Sequence, residues 1–326
     1  MKTIKMLRIA ASALALIAPL ALVAAPARAE DTLKVAVGQI NNWENQMPTL
    51  GQQAGIFRKH GIELEMIYTS GSGETLQPVI AGSVDLGLAV GTLGAIGAYA
   101  KGAPVRIIGA QATGAADYWY AKTTSPIKNL KDTDGRTLAF STNGSSTHSV
   151  VLAFIKEFGL KAKPTPTGNP SATLTAVMTD QVDVGWAAPP FGLKEMDEGK
   201  IRLVARATDA SIVKGQTIRV VVANAQALDK RADAIARFMQ AYRETIDYMY
   251  GGNPQVIRDY AEFVGIPEQL ARRTRDDFFP KSLVWPDEIK GLDTLMPEAV
   301  TLKFLSAPLT KEQLAELIRV PAAAKH

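Results

Sequence analysis

The strongest constraint on how this chain can fold is that it contains one segment twice. Residues 61–89 lie over residues 159–187 without a gap, 98 positions apart, and nine of the 29 pairs are identical. Gly61, Thr69, Thr75, Leu76, Val79, Val84, Asp85, Gly87 and Ala89 fall on Gly159, Thr167, Thr173, Leu174, Val177, Val182, Asp183, Gly185 and Ala187. Several mismatches are conservative, such as Ile62 with Leu160 and Leu86 with Val184. Solenoid units run roughly 20–50 residues, so a period of about 100 marks a domain-sized unit instead. Two similar lobes leave a cleft between them, and such clefts bind small molecules.

Residues 1–29 read as a delivery segment. Lys2, Lys5 and Arg8 open it, an apolar run follows from Ile9 to Ala25, and Ala27-Arg28-Ala29 gives a small-x-small cleavage pattern. Pro19 interrupts the run, which is short for a spanning helix. Cleavage before Glu30 is therefore expected, leaving the mature protein in a bacterial periplasm. The chain has no cysteine, so neither a lipid-modified Cys nor a disulfide is available. Without the leader, 32 basic and 32 acidic residues balance over 297 positions. A nucleic-acid partner then lacks its electrostatic warrant.

The mature chain alternates strand and helix patterns. Strands are expected over 33–37, 63–68, 84–90 and 105–109, with one helix over 47–57 and others after Gly73 and over 95–101. The order restarts with a strand at 137–141, a helix marked by Val150, Phe154 and Phe158, a turn at Asn169-Pro170, and a strand over 182–187. A strand at 219–223 precedes a helical tail in which Ile235, Phe238, Met239, Tyr242, Ile246 and Met249 form one stripe. Further tail helices are expected over 255–264, 267–276 and 311–318. This α/β order implies parallel pairing with right-handed crossovers. Two links, within 117–126 and 208–217, would join lobe one (30–120 plus 220–326) to lobe two (121–219).

The stretch from Gly55-Ile56-Phe57 and Gly61, through Gly71-Ser72, Ala81-Gly82 and Val84-Asp85 to Gly91-Thr92, resembles the first lobe of bacterial solute-binding proteins for nitrate, alkanesulfonates, taurine and thiamine-type pyrimidines. The resemblance covers about residues 33–225. It implies a periplasmic-binding-protein type II fold, two lobes joined by two crossovers that close on ligand, and delivery to a membrane permease and ATPase. A small organic anion is the expected ligand, with a heteroaromatic pyrimidine as the alternative; a periplasmic enzyme or a sensor subunit on the same scaffold is a further one.

Several loops face the expected cleft. Ser141, Asn143, Gly144, Ser145 and Ser146 stand between a strand and a helix, where backbone N–H groups and hydroxyls form an anion pocket or simply cap the helix. The equivalent loop of lobe one, residues 39–45, contributes Asn42 and Trp43. Gly71 and Ser72 open one helix, and Gly91 and Thr92 end a strand where small residues admit a ligand. Trp186 and Pro189 end its counterpart. Trp43, Trp119 and Trp186 would cover a planar ligand body or pack in the core. Arg219 at the second link is expected as a bidentate clamp or as an ion-pair partner, while Asp117 and Glu44 are candidates for a ligand ammonium. Asp85 and Asp183 are expected to be structural.

Catalysis finds few residues. No HExxH, GxSxG or GxGxxG occurs, and apart from His326 the histidines are His60 and His148. A thiamine-pyrimidine synthesis enzyme and a porphobilinogen-deaminase-like enzyme share the implied fold, but both need cysteines absent here. No cofactor, no metal and a monomeric protein are expected.

Overall fold

The computed structural model describes residues 30–323; the expected leader lies outside them. Within those residues the strands are β1 (Asp31–Gly38), β2 (Ile62–Thr69), β3 (Leu86–Gly91), β4 (Val105–Thr113), β5 (Tyr118–Lys122), β6 (Thr137–Phe140), β7 (Lys163–Pro166), β8 (Gly185–Ala187), β9 (Ile201–Arg206) and β10 (Thr217–Asn224). Between them run helices α1 (Met47–Gln53), α2 (Ile56–Lys59), α3 (Ser72–Ile80), α4 (Thr92–Ala100), α5 (Ser146–Glu157), α6 (Pro170–Met178) and α7 (Leu193–Asp197). The tail adds α8 (Ala225–Lys230), α9 (Ala232–Tyr250), α10 (Pro254–Val264), α11 (Glu268–Phe278), α12 (Leu292–Thr301) and α13 (Lys311–Leu317).

The first sheet has the order β2-β1-β3-β10-β4. β1 is parallel to β2 and β3, and β10 is antiparallel to both β3 and β4. The rest of the chain repeats this plan. β8-β5-β9 and β6-β7 are joined by a parallel bridge between Leu138 and Val184, giving β7-β6-β8-β5-β9. Each lobe thus receives one antiparallel strand, β10 or β5, immediately after the chain has crossed between lobes. Leu33, Val35 and Val37 of β1 pack against Phe238, Met239, Tyr242 and Ile246 of α9. The opposite face shares a buried core with lobe two that includes Ala36, Val90 and Val220 on one side and Trp119, Phe140 and Phe154 on the other.

The repeated residues explain themselves as geometry. Gly61 and Gly159 end equivalent helix turns at φ 65° and 64°, a conformation glycine adopts without steric cost. Thr69 and Thr75 share a hydroxyl hydrogen bond of 2.6 Å, and so do Thr167 and Thr173. Asp85 accepts from Lys34 N–H and Asp183 from Thr137 N–H, both at 2.9 Å, fixing the entry to β3 and β8. A β-carbon on Gly87 would lie 2.8 Å from Val79 Cγ2, and one on Gly185 would lie 2.7 Å from Val177 Cγ2. Gly87→Ala and Gly185→Ala should therefore each cost about 1–3 kcal/mol through overpacking, measurable by urea denaturation, with the two losses of similar size.

Three expectations differ from the structure. The helix expected over 47–57 is broken into α1 and α2 because Gly55 takes φ 73°. The segment 117–126, expected as a link, contains β5; the crossing itself is the short stretch 114–117. β7 and β9 also go unannounced by sequence. β7 is a four-residue edge strand carrying Pro164 and Pro166, tolerable where no partner needs the missing N–H groups.

Candidate functional site

The crossovers are tied to each other. Gly114 N–H donates to Gln216 O at 2.8 Å, Ala207 N–H to Asp117 O at 2.9 Å, and the Thr113 and Thr217 hydroxyls pair at 3.0 Å. Beside them three charges meet. Arg219 Nη1 lies 2.5 Å from Glu44 Oε1, and its Nη2 donates to Asp117 Oδ1 and Oδ2 at 2.7 and 2.6 Å. None of the three is more than 2% exposed. Arg219 is therefore engaged by the protein's own carboxylates, and Glu44 and Asp117 are its partners.

The loop 39–45 that carries Glu44 is pinned from several sides. Asn45 donates to Gly38 O at 2.7 Å, Gln111 to Asn45 Oδ1 at 2.7 Å, and Tyr260 OH to Asn41 O at 2.8 Å. Trp43 is fully buried, donates to Tyr250 OH at 3.0 Å, and meets the Tyr260 ring edge-on at 4.9 Å. It anchors the loop to the tail helices rather than covering the cleft. Trp119 and Trp186 are likewise buried as neighbours on β5 and β8, with Trp119 Nε1 donating to Ala139 O at 2.8 Å.

The serine loop closes on itself. Ser145 Oγ caps α5 by accepting from His148 N–H at 3.0 Å, while Thr147 Oγ1 accepts from Ser141 N–H and pairs with the Ser141 and Ser145 hydroxyls, each at 3.0 Å. Burial lowers the pKa of His148, whose Nδ1 accepts from Gly144 N–H at 3.2 Å. The loop is also pressed against lobe one. A β-carbon on Gly91 would lie 2.7 Å from Ser146 N, one on Gly73 2.5 Å from Asn143 O, and one on Gly71 2.9 Å from Ser141 Oγ; Gly94 abuts Gly144 O. Gly73 N–H donates across to Thr142 Oγ1 at 3.1 Å. Thr92 Oγ1 donates to Thr217 O at 2.6 Å. The lobes thus touch along a seam formed by Gly71, Gly91, Asn143, Gly144 and Ser146.

Beside that seam a cavity of about 260 Å³ remains open between the lobes. Lobe one lines it with Gln39, Ile40, Asn41, Tyr68, Thr69 and Ser70, and lobe two with Asn169, Pro170, Ser171 and Phe191. It is the counterpart of the seam under the internal repeat: the start of α6 faces the loop after β1 here, as the start of α3 faces the loop after β6 there. No ionisable acid or base other than the Tyr68 phenol lines it. Sequence reasoning placed loop 39–45 at the cleft but selected Asn42 and Trp43 within it, chose Gly71, Ser72 and Pro189 beside other lining residues, and read Asn169-Pro170 only as a turn. Three of the selected residues do carry buried polar atoms without a partner: Asn42 Oδ1, Ser72 Oγ and Trp186 Nε1. Among the described residues no cluster of His, Asp and Glu could hold a metal, and no helix is long and apolar enough to cross a membrane.

Two lobes of one topology, crossed twice and meeting over a ligand-sized cavity, define the periplasmic-binding-protein fold. The chain belongs to the NMT1/THI5-like family, whose model matches residues 47–256. Among solved structures it is similar to the alkanesulfonate-binding protein SsuA from Xanthomonas axonopodis pv. citri bound to MOPS, with TM-score 0.73 and 18% identity over 89% of this chain and 99% of that one. The periplasmic aliphatic sulphonate binding protein SsuA from Escherichia coli gives TM-score 0.68 and 20% identity over 90% and 94%. The periplasmic nitrate-binding protein NrtA from Synechocystis PCC 6803 gives 0.67 and 14% over 89% and 86%. No curated protein matches the sequence. At these identities the likeness establishes the fold.

Proposed function

We propose that this chain is the periplasmic, non-catalytic ligand-capturing component of an importer, a monomer that closes on a small molecule and presents it to a membrane permease and ATPase. The observation that carries this reading is the 260 Å³ cavity walled by both halves of the repeat, since a ligand touching both lobes favours the closed state over the open one. The family membership and the roles of the sulfonate- and nitrate-binding proteins it resembles support it.

For ligand class, the chemistry favours a polar heteroaromatic of the pyrimidine type over an organic anion. The guanidinium best placed to clamp an anion already holds two carboxylates. Neutral amides, hydroxyls and the Tyr68 and Phe191 rings line the cavity. The lining amides and hydroxyls of Gln39, Asn41, Thr69, Ser70, Asn169 and Ser171 offer donors and acceptors together, a mixture suited to a neutral ring with both kinds of edge. The anion keeps one specific support, the start of α6 at the cavity wall. That support is weak, because Pro170 has no N–H and Ala172 N–H is taken by Asn169 Oδ1 at 2.9 Å.

Calorimetric titration with aminopyrimidines, alkanesulfonates, nitrate and carboxylates tests both levels. Binding of a pyrimidine, accompanied by a smaller radius in small-angle scattering, is the expected result. Tighter binding of a sulfonate than of any pyrimidine would reverse the ligand class. Binding with no change in dimensions would remove capture by closure.

A further inference from the structure

The internal repeat puts the two sides of the lobe interface in register, and they differ residue by residue. At the seam, lobe one presents Gly71, Ser72 and Gly73 around the start of α3. At the cavity, lobe two presents Asn169, Pro170 and Ser171 around the start of α6, each 98 positions on. Two positions without a side chain at the seam thus carry one at the cavity. The seam needs its glycines for room and not for backbone conformation. Gly71 has φ 179°, an extended value open to any residue, and neither Gly71 nor Gly73 is in the left-handed region. Yet a β-carbon on Gly71 would lie 2.9 Å from Ser141 Oγ, and one on Gly73 2.5 Å from Asn143 O. The second neighbour is a backbone atom, which no rotamer change moves. Asn and Ser therefore cannot stand where the lobes touch in that way. Asn169 is also held in place, because its Oδ1 accepts from Ala172 N–H at 2.9 Å and Pro170 fixes the first turn of α6. Gly71 and Ser72 are buried against the opposite lobe, whereas Asn169 and Ser171 are exposed.

We propose that Asn169 and Ser171 are spacers: they stop the cavity side of the interface from closing to backbone contact, and so set the size of ligand that the cavity admits. This rests on the capture-by-closure reading given above and adds to it the residues that fix the dimensions of the site. The two lobes share one plan, so a cavity side lined by glycine could close to contact as the seam does, leaving no room for a ligand. The side chains at 169 and 171 break that equivalence, and the cavity of about 260 Å³ is the space they keep open. Trimming a lining side chain ordinarily enlarges a site; trimming a spacer lets the walls approach and shrinks it.

The chain has no cysteine, so a pair of spin labels can be placed without interference. Labels on Ile67→Cys in β2 and Met178→Cys at the end of α6, both exposed positions in opposite lobes, report lobe separation by pulsed electron resonance. Asn169→Gly with Ser171→Gly should move the shortest population to a smaller distance than in the labelled parent. If that pair frays α6, Ser171→Gly alone keeps the Asn169 cap and should give a smaller shift of the same sign. Calorimetry with 4-aminopyrimidine and adenine, a one-ring and a two-ring probe, reads the size of the site. Their affinity ratio should move toward the smaller probe by roughly fivefold or more, the cost of overpacking the larger one. An unchanged label distance, or a ratio that moves toward adenine, would show that the two residues merely line the cavity; it overturns the spacer role and leaves capture by closure standing. A parent with no population at the structure's separation, free or with either probe present, would instead sink the closure reading and the spacer role with it. The label distance decides the matter even where neither probe binds.

Discussion

Replacing Arg219 by methionine is expected to lower the unfolding free energy by about 3–5 kcal/mol at neutral pH, because it strands two buried carboxyl groups without their cation. The triple variant Arg219→Met, Glu44→Gln, Asp117→Asn should recover most of the loss, since replacing every member of a buried ion group by neutral residues is often close to neutral. Urea denaturation of the three proteins measures this. If the midpoint of Arg219→Met matched wild type while ligand affinity fell, Arg219 would be a ligand clamp and the assignment of its partners would be wrong.

A second large effect should come from Gly94→Ala, by an opposite route. In the first turn of α4 the added methyl favours helix by up to about 1 kcal/mol, so lobe one itself should gain. Yet the methyl would meet Gly144 O of the opposite lobe. Overpacking of about 1–3 kcal/mol acts in the closed state alone, equivalent to roughly 5–150-fold in affinity. The expected outcome is weaker ligand binding with a ligand-free melting temperature at or above that of Gly97→Ala, a matched change whose methyl meets Phe304 O instead. Undiminished affinity would show that the seam does not form in the bound state.

What sequence revealed here, and what it hid, divides by the distance over which each residue finds its partner. The repeat was legible because its signals are local. The Thr69–Thr75 and Thr167–Thr173 pairs, the glycines at 61 and 159, and the aspartates entering β3 and β8 all act within one supersecondary unit. The stripe on α9 was legible for the same reason, as a period of 3.6 residues. Arg219 was conspicuous, but its partners lie 102 and 175 positions away, and nothing in their neighbourhoods distinguishes a ligand carboxylate from one supplied by the protein. Trp43 likewise finds its hydrogen-bond partner 207 positions on, at Tyr250. An aromatic in a predicted cleft loop reads as a ligand platform until the tail helices that cover it are in place. The cavity itself was partly legible: loop 39–45 was expected at the cleft, Asn169-Pro170 was read only as a turn, and Tyr68, at the end of an edge strand, gave no signal.

The interleaving of strands dictates an order of assembly as the chain emerges from amino to carboxyl end. β10 lies between β3 and β4 in the first sheet, so that sheet stays split, β2-β1-β3 apart from β4, until residue 224 has appeared. The second sheet takes all its strands from 118–206, so it waits only for its own later strands and not for another lobe. The half of the protein begun first is therefore the half completed last, and its exposed strand edges wait through the synthesis of an entire lobe. If the chain is exported as proposed above, that delay keeps its first lobe open while it is handed across a membrane.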